Sequence, residues 1–356
     1  MRMGVRTSAH ALVRRWGGRA VGLVVTGVGL YVVAPSLLTM LGAWPELARV
    51  APRWFLLLAL LEAGSLAALW WLTRIALTPA EGLGSPRVGW GSAATAQLAG
   101  NAASKVVPGG AAVGGVVQGK VLVTAGQPTG AVVSALTASN LLTTSVLLLL
   151  PILTIPALII GPPPAHQLQL GLVMSLVAAV TIVSIGVVAL MWRGVVAGTG
   201  RLIGRVVHVV RPAWSPDRVA DGLLTQRDRI ATAFAGQWYR AVFAAAANRM
   251  LDYAALVAAL VAFGAHARPA EVLLAYVVAQ ALAFVPITPG GLGFVDAGLT
   301  ALLVVIGIPT DTALIATLLY RLFSFWLPIP VGALAWAGWH IGTRNRRPPT
   351  PSVGPA

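Results

Sequence analysis

The stretch Ile287-Thr288-Pro289-Gly290-Gly291-Leu292-Gly293-Phe294-Val295-Asp296 interrupts a segment, Glu271 to Ile308, that is otherwise almost wholly apolar. Proline and glycine break helices, and backbone freed at membrane depth is tolerated only beside protein or water. A second break of the same kind, Pro108-Gly109-Gly110, divides the small-residue segment Gly89 to Ala125. Each segment therefore predicts two short helices around a break that faces a cavity, not a passive anchor.

The surrounding chain fits a bilayer. Of its 356 residues, 57% are hydrophobic and 10% charged, with a mean hydropathy of +0.83, well outside the range of soluble domains. The fold class expected is all-α, a polytopic membrane helical bundle. Stretches of about 20 apolar residues are long enough to cross the hydrocarbon core. Six are expected, at roughly Ala20 to Leu41, Trp54 to Leu77, Thr129 to Ile160, Leu168 to Trp192, Trp238 to Phe263 and Thr312 to Ile341. With the two broken hairpins this makes eight or more membrane segments. The first stretch follows five Arg residues, but its apolar core is too long for a secretory signal, so it reads as a retained span.

Charge orients these segments. Residues 1–19 carry five Arg and no acid, and the tail after Ile341 carries three Arg and no acid. The connection 193–240 has eight Arg against Asp217, Asp221 and Asp228, whereas Gly161 to Gln167 has no charge and Gly264 to Glu271 balances Arg268 against Glu271. By the positive-inside rule both termini and the long loop are cytoplasmic. The expected organisation is a basic arm (1–19), one transmembrane domain (20–341, with halves at about 20–160 and 168–341) and a disordered tail (342–356), in a bacterial plasma membrane. The parity holds only if each hairpin enters and leaves on one side. The order span, span, hairpin, span then repeats with inverted orientation, as in transporters whose broken helices meet near the midplane. Two full spans of about 17 residues in place of the second hairpin would preserve the orientation without the re-entrant geometry.

Several chemistries are disfavoured. There is no cysteine, and His10, His166, His208, His266 and His340 are scattered without ligand spacing. No P-loop is present and no His is placed with a carboxylate, so neither a cofactor nor an enzymatic role is expected. The net charge of +15 belongs to segments that sit against anionic headgroups, making membrane lipids, not nucleic acid, the expected partners. In the long loop, Val206, Val207, Val209 and Val210 among Arg201, Arg205 and Arg211 mark an amphipathic helix expected to lie on the inner leaflet. Most of the Trp residues, such as Trp16, Trp44, Trp54, Trp90, Trp192 and Trp339, fall near span ends as interfacial anchors.

Polar residues inside spans are costly and therefore informative. Asn248 and Asp252 stand four apart and share a helix face, with Arg249 placed to pair with Asp252. They form either a self-satisfied packing group or a cavity lining. Arg321 and Asp296 read as a buried ion pair or as an anion site whose charge is partly balanced at rest. Lys105 and Lys120 flank the first break and either snorkel to the surface or line the hairpin. Glu62 is alone on its helix and reads as a carboxyl that is neutral or paired with a residue the sequence does not place.

The second break continues into Ala297-Gly298-Leu299, then Gly307-Ile308-Pro309, then Leu318-Leu319-Tyr320-Arg321-Leu322-Phe323-Ser324-Phe325-Trp326-Leu327-Pro328. This string resembles the membrane, flippase-like half of bacterial lysylphosphatidylglycerol synthases and their free-standing relatives. They share a Pro-Gly-Gly-Leu-Gly element, an acid shortly after it, a Gly-x-Pro turn and an Arg in an aromatic-rich last span. Gly100 to Gly110 looks like the family's N-terminal helix break, and Asn248 and Asp252 resemble an Asn and an Asp that free-standing members carry. Asp296 replaces the more usual Glu. The chain is not expected to carry the soluble aminoacyl-transferase domain, so synthesis of the modified lipid does not transfer with the resemblance.

What the resemblance implies is movement of a phospholipid or lipid-linked anionic amphiphile between leaflets. Arg321, Asp296, Gly290, Gly291, Asn248, Asp252, Lys105, Gly109 and Gly110 are the expected substrate-binding residues. Helix N-termini after the breaks would favour the phosphate. The alternative is a non-transporting scaffold for a separate lipid-modifying or glycosyl-transferring enzyme.

Overall fold

A computed structural model describes residues 42, 44–82, 84–107, 110–154, 173–174, 177, 180–181, 184–185, 192–210, 215–234, 236–283 and 291–345. Every regular element among them is helical: α1 (Trp44–Leu47), α2 (Pro52–Gly82), α3 (Trp90–Val106), α4 (Gly110–Thr124), α5 (Thr129–Leu149, continued by a 3-10 turn at Leu150–Thr154), α6 (Arg193–Val210), α7 (Pro216–Thr232), α8 (Trp238–Ala262), α9 (Pro269–Leu282), α10 (Phe294–Val305), α11 (Thr310–Arg321) and α12 (Pro328–Asn345). Four stretches are long and apolar enough to cross a membrane: Pro52–Thr78, Thr129–Thr154, Trp238–Ala262 and Thr310–Arg344. They coincide with four of the six expected spans. The other two, Ala20 to Leu41 and all but a few helical residues of Leu168 to Trp192, lie outside the described residues, as do the arm 1–19 and most of the tail.

Both broken segments divide where their glycines and prolines fall. In the first, α3 stops at Val106, Val107 is extended, and α4 restarts at Gly110 with φ +40°. In the second, α9 ends at Leu282, and the chain re-enters through Gly291 (φ +74°) and Gly293 (φ +75°) into α10. Left-handed backbone of this kind excludes most side chains. Pro108, Gly109, Pro289 and Gly290 lie outside the described residues.

Small residues let the first hairpin close. A Cβ on Gly100 would stand 2.8 Å from the Gly114 carbonyl oxygen, and one on Gly114 would stand 2.8 Å from Ser104 Cβ, so α3 and α4 touch backbone to backbone. On the other side of α3, Gly332 of α12 seats against Leu98 and Ala102. Such contacts stand in for the hydrophobic effect, which gives helices no reason to associate in lipid.

The long helices α2 and α8 form the central pair. Ser65 Oγ donates to the Asn248 carbonyl at 3.1 Å, while Asn248 Nδ2 donates to Ser65 Oγ at 2.8 Å and to the Ser65 carbonyl at 3.1 Å. Around them a core cluster joins Leu58 of α2 to Leu256 of α8, Tyr276 of α9, Leu299 of α10 and Leu319 of α11. The 3-10 end of α5 packs against α9, and α12 packs against α3.

The basic connection 193–240 differs from the single surface helix expected. Pro212 and Pro216 divide it, and α6 and α7 fold on each other where Gly200 meets Ala220 and Gly204 meets Pro216. Helix α7 is tied to the bundle by Ser134 Oγ of α5, which donates to Gln226 Oε1 at 3.1 Å. The backbone of α6 runs through the four valines at 206, 207, 209 and 210; their side chains, like Arg211, lie outside the described residues.

Candidate functional site

The last long stretch, Thr310–Arg344, is not a regular helix. Between α11 and α12 it widens over Leu322–Trp326 into a π-helical turn, in which the Leu327 N–H donates to the Leu322 carbonyl at 2.8 Å. Turns of this kind concentrate at functional sites. Here the next residues explain its exposed acceptors. The Ser324 carbonyl would ordinarily receive the amide four residues on, but that residue is Pro328, which has no N–H. Lys105 fills the vacancy from α3: its Nζ donates to the Ser324 carbonyl at 2.7 Å and to the Phe325 carbonyl at 3.4 Å, and it lies 5.0 Å from the Phe325 ring centroid. Lys105 is thus partly buried against the last helix, settling the choice between snorkelling and lining in favour of the interior.

One residue before this turn, Arg321 pairs with Asp296. Nε stands 2.5 Å from Asp296 Oδ1, with the two side chains 11% and 21% exposed. Asp296 also receives the Gly293 N–H on Oδ2 at 3.1 Å, so it caps the helix that follows the break while holding Arg321. An acid in the first turn also complements the helix dipole. Arg321 Nη2 is buried with no hydrogen-bond partner among the described residues.

Asp252 organises a second layer. Tyr276 Oη donates to its Oδ2 at 2.6 Å, Gln280 Nε2 to the same oxygen at 2.9 Å, and Tyr320 Oη to Oδ1 at 2.8 Å. Arg249 does not pair with Asp252. It turns to α5, where Nε donates to the Thr143 carbonyl at 3.4 Å, while Asp252 takes its donors from α9 and α11. Asn248, on the same face of α8, is consumed by Ser65 and acts as interhelical glue. Glu62 is buried beside Asp252, within electrostatic reach of Lys105. Its neighbour thus comes from another helix, α8.

The candidate residues therefore converge. Lys105, Asp252, Asp296 and Arg321 come from four helices, α3, α8, α10 and α11, into one largely buried polar group, while Gly291 precedes α10 and packs on Val295 and Asn248 bonds Ser65 one turn before Asp252. Gly110 re-starts α4 beyond the first break, while Gly109 and Gly290 lie outside the described residues. Tyr276, Gln280 and Tyr320 were not singled out from sequence. The spacing of Tyr276 and Gln280, four apart on an apolar helix, is the signal that marks them. No group of three or more His, Cys, Asp or Glu residues suited to a metal ion occurs among the described residues.

The profile of one protein family, Lysylphosphatidylglycerol synthase TM region, matches residues 19–332. The chain belongs to that family. Every member of the buried group, from Glu62 to Arg321, falls within the interval matched to the lysylphosphatidylglycerol synthase TM region. As a protein of that family with several long apolar helices, it is a multi-pass integral membrane protein. No curated protein matches the chain significantly.

Proposed function

We propose that this protein moves a phospholipid or lipid-linked anionic amphiphile between the leaflets of a bacterial plasma membrane, with no enzymatic step of its own. The observation that carries the reading is Arg321: a guanidinium beside a helix break, balanced by Asp296 yet with a buried Nη2 that has no hydrogen-bond partner among the described residues. Ion pairs buried in apolar surroundings are costly to keep, and this one stands where α10 begins, an N-terminus suited to anions. A headgroup phosphate takes the free Nη2 and competes with Asp296 for the rest of the guanidinium. The acyl chains remain in lipid. The breaks, at corresponding places in the two halves, supply the non-helical backbone that a polar headgroup needs on its way across.

The same reading includes two inverted halves, each of two spans, a re-entrant hairpin and a third span, with both termini cytoplasmic. Its support is the exchange of packing: the end of α5 lies on the first arm of the second hairpin, and α12 on the first arm of the first. The α6–α7 pair, bearing Arg193, Arg201, Arg205, Arg218, Arg227 and Arg229 on the loop, favours a second reading, a scaffold that docks a separate lipid-modifying enzyme.

Leaflet exchange in proteoliposomes tests the choice, using head-labelled anionic, zwitterionic and polyprenyl lipids with an impermeant quencher. One lipid class exchanges, and Arg321→Ala or Asp296→Asn slows it by at least about tenfold, the loss of roughly 1.4 kcal/mol. Unchanged exchange in both folded variants rules out this site. No exchange of any lipid, including native extract, transfers the function to the scaffold reading.

A further inference from the structure

Asp252 is well supplied with hydrogen-bond donors, and Glu62 is not. Three donors reach the two oxygens of Asp252, from Tyr276, Gln280 and Tyr320. Among the described residues these three groups can each donate to it, the complement of an ionised carboxylate, which can only accept. Glu62 is 7% exposed, and its Oε1 is buried without a hydrogen-bond partner among the described residues.

The helix register brings the two carboxyl groups together. Ser65 and Asn248 clasp α2 to α8. Glu62 lies three residues before Ser65 and Asp252 four after Asn248, so in an antiparallel pair one turn from the clasp sets Glu62 opposite Asp252. The two side chains interact there. Two ionised carboxylates repel strongly in an apolar crossing, and a hydrogen bond between carboxyl groups requires that one carry a proton.

We propose that Glu62 is a proton-binding site, its proton hydrogen-bonded to Asp252, and that taking up and releasing this proton couples lipid movement to the proton gradient. The proposal rests on the lipid-movement reading. On release, the O–H bond of Glu62 breaks, the electron pair stays on the carboxylate oxygen and the proton passes to water. The new negative charge faces Lys105, which lies within electrostatic reach and holds the Ser324 carbonyl beside Arg321. Lys105 is drawn from the π-helical turn toward Glu62, loosening the seam between α3 and the last helix next to the headgroup site. Protonation of Glu62 returns Lys105 to the turn.

The groups facing the pair are Lys105 from α3, Tyr276 from α9, and Tyr320 and Arg321 from α11, the last already engaged by Asp296. Arg249 is turned to α5, which itself contributes no charged residue in Thr129–Leu149. A metal cation needs several free oxygens. Three donors already occupy Asp252, and of a carboxylate's roughly four acceptor positions the one left suits a single proton from Glu62, not the coordination shell of a cation.

The test uses the full chain in proteoliposomes with trace head-labelled phosphatidylglycerol. At equal pH the label equilibrates between leaflets. A difference of one pH unit, at one proton per lipid, enriches it in one leaflet by about tenfold, and a protonophore abolishes the enrichment. In Glu62→Gln the amide donates to Asp252 in place of the proton and cannot release it, so the leaflet ratio no longer responds to pH. Exchange without pH response in the wild type, wild-type enrichment in Glu62→Gln, or equal enrichment driven by sodium overturns the proton site and leaves lipid movement standing. Absence of exchange for every lipid sinks the lipid reading instead. Infrared difference spectra on acidification then judge the proton site alone. A protonated-carboxyl band lost in Glu62→Gln supports it, and the lack of such a band in the wild type overturns it.

Discussion

At the scale of single residues, Gly291 and Gly293 separate two costs. Both have left-handed φ, but a Cβ on Gly293 meets nothing within 4 Å, whereas one on Gly291 meets Val295 Cγ2 at 2.5 Å. Gly293→Ala is expected to lose about 1–2 kcal/mol from backbone strain alone, and Gly291→Ala more. A thermal unfolding scan in detergent checks the order; equal losses show that Val295 yields freely. Pro328 offers a second test. Pro328→Ala restores an N–H for the Ser324 carbonyl, so Lys105→Met costs less stability in that background than in the wild type, with a coupling of about 0.5–3 kcal/mol. Additive losses would mean that Lys105 is not held by the turn. The Arg321–Asp296 pair was legible in the sequence because both residues stand in one unusual string. The Ser65–Asn248 clasp and the Glu62–Asp252 contact were not, since their partners are more than 180 residues apart and no local rule joins them.

At the scale of elements, glycine placement decides whether the hairpin closes. Gly100→Val drives a branched side chain into the Gly114 carbonyl and Gln118, forcing α3 from α4 at a cost of about 1–3 kcal/mol or more. Gly115→Ala, one residue from Gly114 and facing open space, stays within about 0.5 kcal/mol of the wild type. Melting temperatures of the two variants compare them directly, and a similar drop in both would deny the contact between the arms. The hairpins themselves were readable because Pro-Gly-Gly breaks helices by covalent geometry. The division of the basic loop into α6 and α7 was not, although Pro212 and Pro216 marked its place. Hydrophobic periodicity shows that a helix has an apolar face and leaves open whether lipid or a second helix covers it.

At the scale of the whole molecule, the proposed inverted arrangement makes a topological prediction. The chain lacks native cysteine, so single cysteines report the side directly. Thr124→Cys, at the exposed end of α4, labels with an impermeant maleimide from the cytoplasm, and His266→Cys, between α8 and α9, from outside. Labelling of both from one side would dismantle the two-hairpin parity. The pairing of α2 with α8 belongs to this scale too, because it joins an element of each half and sets Glu62 before Asp252.

Composition and length determined by themselves that the chain lives in a bilayer, and Pro-Gly-Gly that two of its segments are broken into pairs of shorter helices. These are local properties: the transfer free energy of about 20 residues and the missing N–H of proline act wherever the segment lies. Only the tertiary structure decided that Asp252 takes its donors from Tyr276, Gln280 and Tyr320 instead of Arg249, that Lys105 caps the π-helical turn, and that Glu62 has a carboxyl partner. Each depends on which faces of separate helices meet. In hydrocarbon that choice is made by close packing of small residues and by the demand that every buried polar group find a partner, conditions satisfied across the whole bundle and not along the chain.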